Sequence, residues 1–327
     1  MLSIRIPGDM ALPYPSRRLI AVGLPAGLGW AFAYLATFVY QDYALGLFGL
    51  LPIMLGALST MLFAYRNSAD RRSCRQVSLL SLLLFSVGLL VFAMEGLICL
   101  VMALPIGLPL VWIGHVIGYE LSKRKGVGNP PAAMVLIMLS VPALMSFEYA
   151  NRDHTQSIKS VITSVEIGAM PQTVWEHVIA FPQLEEPTEW LFKTGIAYPI
   201  NATMEGSGAG AIRYCNFSTG SFVEPITVWD KPQLLKFDVA DQPEPMEEMS
   251  PYDLHPAHLH GFFVSKRGQF RLIALPNGHT RLEGTTWYYN RIQPDFYWSL
   301  WSDYIVHQIH QRVLNHIKAH SEATRQP

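Results

Sequence analysis

Charge is what this chain has least of. Only 15% of its 327 residues are Asp, Glu, Lys or Arg, against about 25% in an ordinary soluble protein. The deficit is local. Between Leu19 and Tyr65 the single formal charge is Asp42, between Gln76 and Tyr119 it is Glu95, and between Gly126 and Phe147 there is none. A net charge of -1 gives nucleic-acid binding no electrostatic footing, so no such partner is expected. Cysteine is scarce too: Cys74, Cys99 and Cys215 are far apart, which excludes a disulfide framework and any spaced thiolate metal motif. No Gly-rich phosphate loop, nucleophile elbow or nucleotide motif is present, and no cofactor is expected.

What is present is a long apolar first half. Residues 19–40 and 43–65 are each long enough to cross a hydrocarbon core of about 30 Å. Residues 77–121 are too long for one crossing; Glu95-Gly96 and the pair Pro105/Pro109 mark the turn. This predicts spans at 77–93 and 106–121 joined by an interfacial stretch at 97–102, and a last span at 131–147, about five crossings in all. Arg17 and Arg18, then Arg66, Arg71, Arg72 and Arg75, then Lys123, Arg124 and Lys125 flank alternate spans. By the positive-inside rule these clusters are cytoplasmic. The N-terminus is then cytoplasmic and the second half lies outside, in the periplasm of a bacterial inner membrane. A different path through 77–121 would place it in the cytoplasm. The first span exceeds a signal-peptide core and has no clear cleavage site after it. Glu95 reads as solvated beside a turn and His115 as bonded to a neighbouring helix, with no acid–base relay between them.

The second half changes period. Residues 157–168, 211–217, 222–230, 234–239, 262–275 and 280–289 alternate as strands do. Pro171 opens a short helix over 172–181, Asn277-Gly278 makes a turn, and 242–261 is a long Pro-, Glu- and His-rich loop of the kind that forms lids. Pro294 sits in the first turn of a helix reaching about His320. On it, Trp298, Trp301, Ile305, Ile309, Val313 and Ile317 form one apolar face. The prediction is a helical transmembrane bundle over 1–150, an α+β domain over 156–322 with a curved antiparallel sheet under a long C-terminal helix, and a tail at 323–327.

Ala169-Met-Pro171 with Val174-Trp175, then Gly208-Ala-Gly210 leading to Arg213, Phe217-Ser-Thr-Gly220, Glu224 and Thr227-Val-Trp-Asp230 together resemble the START-like superfamily. This is the helix-grip fold of polyketide cyclases, aromatase/cyclases and lipid-transfer domains. Tyr297-Trp298-Ser-Leu-Trp301-Ser-Asp303 resembles a membrane-linked branch of it. The resemblance covers about residues 157–322 and none of the spans. It implies a deep apolar cavity for a lipid, polyketide or other hydrophobic small molecule, and no shared catalytic residue. The 242–261 insertion departs from the compact pattern.

Glu224 shares strand parity with Phe222, Ile226 and Val228, so it points at the apolar face and needs a partner there. Arg213 on the preceding strand is that partner; the two read either as a polar anchor for ligand or as a structural ion pair. Arg271 and Glu283 form a second such pair. Tyr297, Trp298, Trp301 and Tyr304 either line the pocket or pack the core. Asp303 and His307 read as a surface pair, while His310, at the edge of the apolar stripe, reaches the cavity mouth. Glu224 and His310 are therefore the two acid–base candidates. His255, His258 and His260 have imidazoles enough for zinc but match no metal spacing, and read first as a polar lid. The expected function is binding or transfer of a hydrophobic small molecule, lipid-like, at a membrane surface. The alternatives are a cyclase, dehydratase or hydrolase on a polyketide- or isoprenoid-like substrate, and a ligand sensor acting through the spans.

Overall fold

In the computed structural model the chain divides into two compact units, Met1–Arg152 with Ser250–Ala257, and Asp153–Met249 with His258–Pro327. The structure describes residues 14–66, 69–123, 130–152, 157–252, 254 and 256–323. Arg124, Lys125, His255 and residues 324–327 lie outside the described residues.

The first unit is helical: α1 (Tyr14–Tyr34), α2 (Leu51–Ala64), α3 (Arg71–Val91), α4 (Leu97–Lys123) and α5 (Pro130–Ala150). Wider π-helical turns extend α1 through Tyr40 and precede α2 from Gly46. Five stretches, Tyr14–Tyr40, Gly46–Ala64, Arg71–Val91, Leu97–Lys123 and Pro130–Ala150, are long and apolar enough to cross a membrane. The helix starts and stops have local causes. Asp70 caps α3 by accepting from the Ser73 N–H at 3.0 Å. The chain leaves α3 through Ala93, whose φ of 54° is left-handed.

One boundary differs from the sequence reading. Residues 97–102 are the opening turns of α4, not an interfacial linker, and α4 runs unbroken through Pro105 and Pro109. The turn is completed by residues 92–96, where the amides of Phe92 and Met94 bond back to Gly88 and Leu89. Proline need not end a long apolar helix, because the freed carbonyls find other partners.

Helices α2 and α4 touch backbone to backbone. A Cβ on Gly56 would sit 2.1 Å from the Val111 carbonyl oxygen, and one on Gly114 would sit 2.1 Å from that of Ile53. Small residues permit this approach, which is the main source of packing where lipid competes for apolar contact. Around the seam, Thr60 Oγ1 lies 2.8 Å from Ser78 Oγ and 3.0 Å from His115 Nδ1, so hydroxyls tie α2 to both α3 and α4.

The second unit is a seven-stranded antiparallel sheet in the order β1-β7-β6-β5-β4-β3-β2. Its strands are β1 (Lys159–Ile167), β2 (Pro199–Glu205), β3 (Ile212–Phe217), β4 (Gly220–Asp230), β5 (Leu234–Asp238), β6 (Phe263–Ala274) and β7 (Thr280–Asn290), with α6 (Pro171–Ile179) after β1 and α7 (Asp295–Ala323) after β7. Register shifts at Ile226/Val228 and Ser265/Arg267 add the bulges that curve a sheet. The core joins Val174, Trp175 and Val178 of α6, Leu235, Phe270, Leu272 and Leu282 of the sheet, and Val313, Leu314 and Ile317 of α7. Trp175 is fully buried and meets Trp229 edge-on at 5.5 Å; large apolar groups of this kind each stabilise by about 1.5–3 kcal/mol. A curved antiparallel sheet closed by a long C-terminal helix fits the helix-grip arrangement.

Candidate ligand-binding site

A cavity of about 100 Å³ lies inside the second unit, where β3 to β7 face the middle of α7. The strand period builds its floor. On β3, Arg213, Cys215 and Phe217 share one face. Across from them Arg213 pairs in register with Glu224, and Cys215 with Phe222. Phe237 of β5 and Phe270 of β6 complete an aromatic wall, and Val306, Ile309, His310 and Val313 close it from the helix. Gly268 lets this happen, because the Phe237 ring lies 2.5 Å from where its Cβ would be.

Arg213 and Glu224 are 1% and 6% exposed, and a direct Nη1–Oε2 ion pair joins them. Burial pushes the Glu224 carboxyl above its ordinary range while the guanidinium pulls against it. The guanidinium carbon lies 5.5–5.6 Å from the ring centres of Phe181, Phe237 and Phe270, a cation–π cage. Arg213 Nε and Nη2 have no hydrogen-bond partner among the described residues. Cys215 lies beside the cation, but its thiol, pushed up to about 12 by burial, is a weak acceptor and no thiolate nucleophile. Each unsatisfied buried donor costs about 1–3 kcal/mol. A bound group able to supply an acceptor oxygen to Arg213 would recover that free energy.

His310 is held on both sides. Its Nε2 lies 2.8 Å from Thr286 Oγ1 and its Nδ1 3.1 Å from Thr163 Oγ1. Burial, then the neighbouring His307, push it down to about 4, so it is neutral near pH 7. With both nitrogens engaged, it acts as a base only after giving up a threonine. His307 does not face away from the sheet as its phase on the helix implied. Its Nδ1 lies 2.8 Å from Thr163 Oγ1. Asp303 bonds the buried Tyr288 hydroxyl at 2.5 Å and forms no pair with His307 among the described residues. The buried stripe of α7 runs through Ser302 and Val306, which rotates this face toward β1 and β7.

The remaining sequence candidates fall elsewhere. Trp298 is buried and packs edge-on against Tyr297 at 5.3 Å. Neither of these nor Trp301 lines the cavity, which begins on α7 at Val306. Arg271 and Glu283 are opposite in register but form no ion pair among the described residues. His258 and His260 diverge: His258 Nε2 lies 3.6 Å from Glu248 and His260 Nε2 lies 3.4 Å from Glu244. His255 is outside the described residues. Sequence reasoning missed Thr163 and Thr286, the clamp on His310. Their only signal was a pair of threonines on the core face of two strands, which is common in sheets.

No protein-family model matches the sequence, and no curated protein sequence matches it. Solved structures are similar over about half the chain. Norcoclaurine synthase from Thalictrum flavum in complex with dopamine and hydroxybenzaldehyde has 11% identity and a TM-score of 0.34, covering 53% of this chain and 91% of that one. Zhui aromatase/cyclase from Streptomyces sp. R1128 has 14% identity and a TM-score of 0.32, over 52% and 97%. Ara h 8.0201 has 11% identity and a TM-score of 0.31, over 51% and 99%.

Proposed function

We propose that the second unit binds a hydrophobic, lipid-like small molecule bearing an acceptor oxygen, and that the helical unit holds it at a membrane. Arg213 carries the reading: it is a buried cation with two nitrogens unpartnered among the described residues, set in a cage of phenylalanine rings. In the proposal Arg213 takes the ligand's oxygen, Glu224 holds Arg213 in place, and Phe237 and Phe270 hold the apolar body. Tyr297, Trp298 and Trp301, outside the cavity lining, extend the apolar path along α7. The membrane role is supported by exposed apolar side chains such as Leu108, Ile113, Leu136 and Leu139 on α4 and α5, an arrangement that water disfavours. The proposed orientation puts the N-terminus in the cytoplasm and the sheet unit in the periplasm of a bacterial inner membrane.

The cavity of about 100 Å³ is below the roughly 300–1,000 Å³ of drug-sized sites. It takes the polar end of a ligand, and a larger body enters with movement of α7. Native mass spectrometry of the full chain in detergent tests the binding role. A co-purified oxygen-bearing apolar species is expected with the wild type and absent from Arg213→Met/Glu224→Leu, which removes the polar anchor without stranding a charge. A ligand-free wild type that also ignores fluorescent fatty-acid probes refutes the reading.

A second reading is an enzyme of cyclase, dehydratase or hydrolase type, favoured by Glu224 and His310 lining one cavity with the Glu224 carboxyl raised by burial. It predicts a bell-shaped pH–rate profile that Glu224→Gln abolishes.

A further inference from the structure

Arg71, Arg72 and Arg75 fill the first turns of α3. A helix N-terminus already carries a partial charge of roughly +0.5, so guanidinium groups there repel both the dipole and one another. The capping carboxylate of Asp70 is engaged with the Ser73 amide at 3.0 Å. Among the described residues no carboxylate pairs with any of the three arginines. The described contact is Arg71 at 5.9 Å from the Tyr119 ring.

Beside them opens a cavity of about 400 Å³, lined by the three arginines, Trp112 and His115, within the roughly 300–1,000 Å³ that small-molecule sites occupy. His115 is 1% exposed, and its Nδ1 is fixed by Thr60 at 3.0 Å. Nε2, on the opposite edge of the ring, has no partner among the described residues. When Nδ1 accepts from the hydroxyl, Nε2 is a donor.

We infer that Arg71, Arg72, Arg75 and His115 form a phosphate-binding site in the helical unit. Every polar group lining it is a donor or a cation, so the ligand must present acceptors only and negative charge. Phosphate offers three oxygens to the planar forks of arginine, where a carboxylate offers two. Trp112, 54% exposed, adds an apolar ring at the rim. A phospholipid headgroup and free phosphate share this chemistry; basic pockets between membrane helices hold the former in other proteins.

The test uses the full chain in an uncharged maltoside detergent, titrated calorimetrically with dihexanoyl phosphatidic acid and separately with inorganic phosphate. Saturable binding of phosphatidic acid is expected, weakened by about tenfold or more in Arg72→Gln/Arg75→Gln, which lose charge-assisted bonds to the phosphate oxygens. The corresponding double Lys variant should keep part of it. Inorganic phosphate binding as tightly assigns the site to free phosphate, and much weaker binding assigns it to a lipid headgroup. The inference is overturned if neither ligand saturates, or if the Gln variant, with an unchanged melting midpoint, binds as the wild type does. Should the double variant not fold, Arg72→Gln alone, at an exposed position, gives the same reading at smaller amplitude. These variants leave Arg213 and Glu224 untouched, so failure here is separable from failure of the proposed function.

Discussion

The two units solve the problem of burying polar groups in opposite ways. At the seam of α2, α3 and α4 in the helical unit the buried polar groups are hydroxyls and an imidazole. Ser59, Thr60, Ser78 and His115 bond one another at helix separations so close that glycine is required. At the centre of the sheet unit the buried groups are ions, and the cation keeps unpartnered nitrogens next to open space. Neutral hydroxyls are inexpensive to bury and satisfy each other, so they serve as joints. A buried ion pair is poor value for stability compared with apolar residues of the same shape. Its retention beside a cavity points to a role in holding something.

That contrast can be broken most forcefully at the helix seam. Gly114→Val drives a side chain into the Ile53 carbonyl, whereas Gly107 on the same helix has nothing within 4 Å of its Cβ position. We expect Gly114→Val to abolish a monodisperse peak after detergent extraction and Gly107→Ala to leave it intact. Equal behaviour of the two would remove the close seam from the description.

In the sheet unit the largest effect should come from stranding a charge. Arg213→Met leaves Glu224 buried alone and should destabilise by about 3–5 kcal/mol. Arg213→Met/Glu224→Leu should recover most of that in chemical denaturation while losing ligand. A double variant as unstable as the single one would make the pair structural.

Acidity gives the next effect. His310 and His316 are each pushed down to about 4, by burial first and by neighbouring histidines next, from an unfolded value near 6.5. Between those values the unfolded chain binds more protons than the folded one. The stability these groups confer is therefore complete above about pH 6.5 and is lost as pH falls through about 4. Melting midpoints of the full chain should fall across that window, and His310→Asn should flatten the curve. The smallest effect belongs to the joints: Thr60→Val should cost about 0.6 kcal/mol, the usual worth of such bonds between membrane helices. A loss of several kcal/mol would mean that the network carries more than packing.

How much of this could be read from the residues depends on whether the cause is local. Strand parity alone puts Glu224 on the inner face opposite Arg213, because period two leaves no choice once the strands are placed. The β2 strand was missed: Pro199, Asn201, Ala202 and Glu205 are poor strand formers, and only its place at the edge of the sheet lets Pro199 be tolerated there. The unbroken α4 was missed because Pro105 and Pro109 look like stops, while the true turn rests on a left-handed alanine that no local pattern announces. On α7 the apolar residues were clear, but the phase was off by part of a turn. Ser302 and Val306 are buried through contacts with β1 and β7, which lie far away in sequence. The spare nitrogens of Arg213 are not legible at all, since they follow from what three distant strands leave unoccupied.

His310 stands between Thr163 on β1 and Thr286 on β7, one hydroxyl on each ring nitrogen. The helix is also held near both ends: Lys159 Nζ on β1 donates to Asp295 Oδ2 at 2.6 Å, and the Gly168 N–H donates to Glu322 Oε1 at 2.8 Å. A beam clamped at its ends and pinned at mid-span neither slides nor pivots as a rigid body. Widening the gap beneath Val306 and Val313 therefore requires that one of these fastenings let go first.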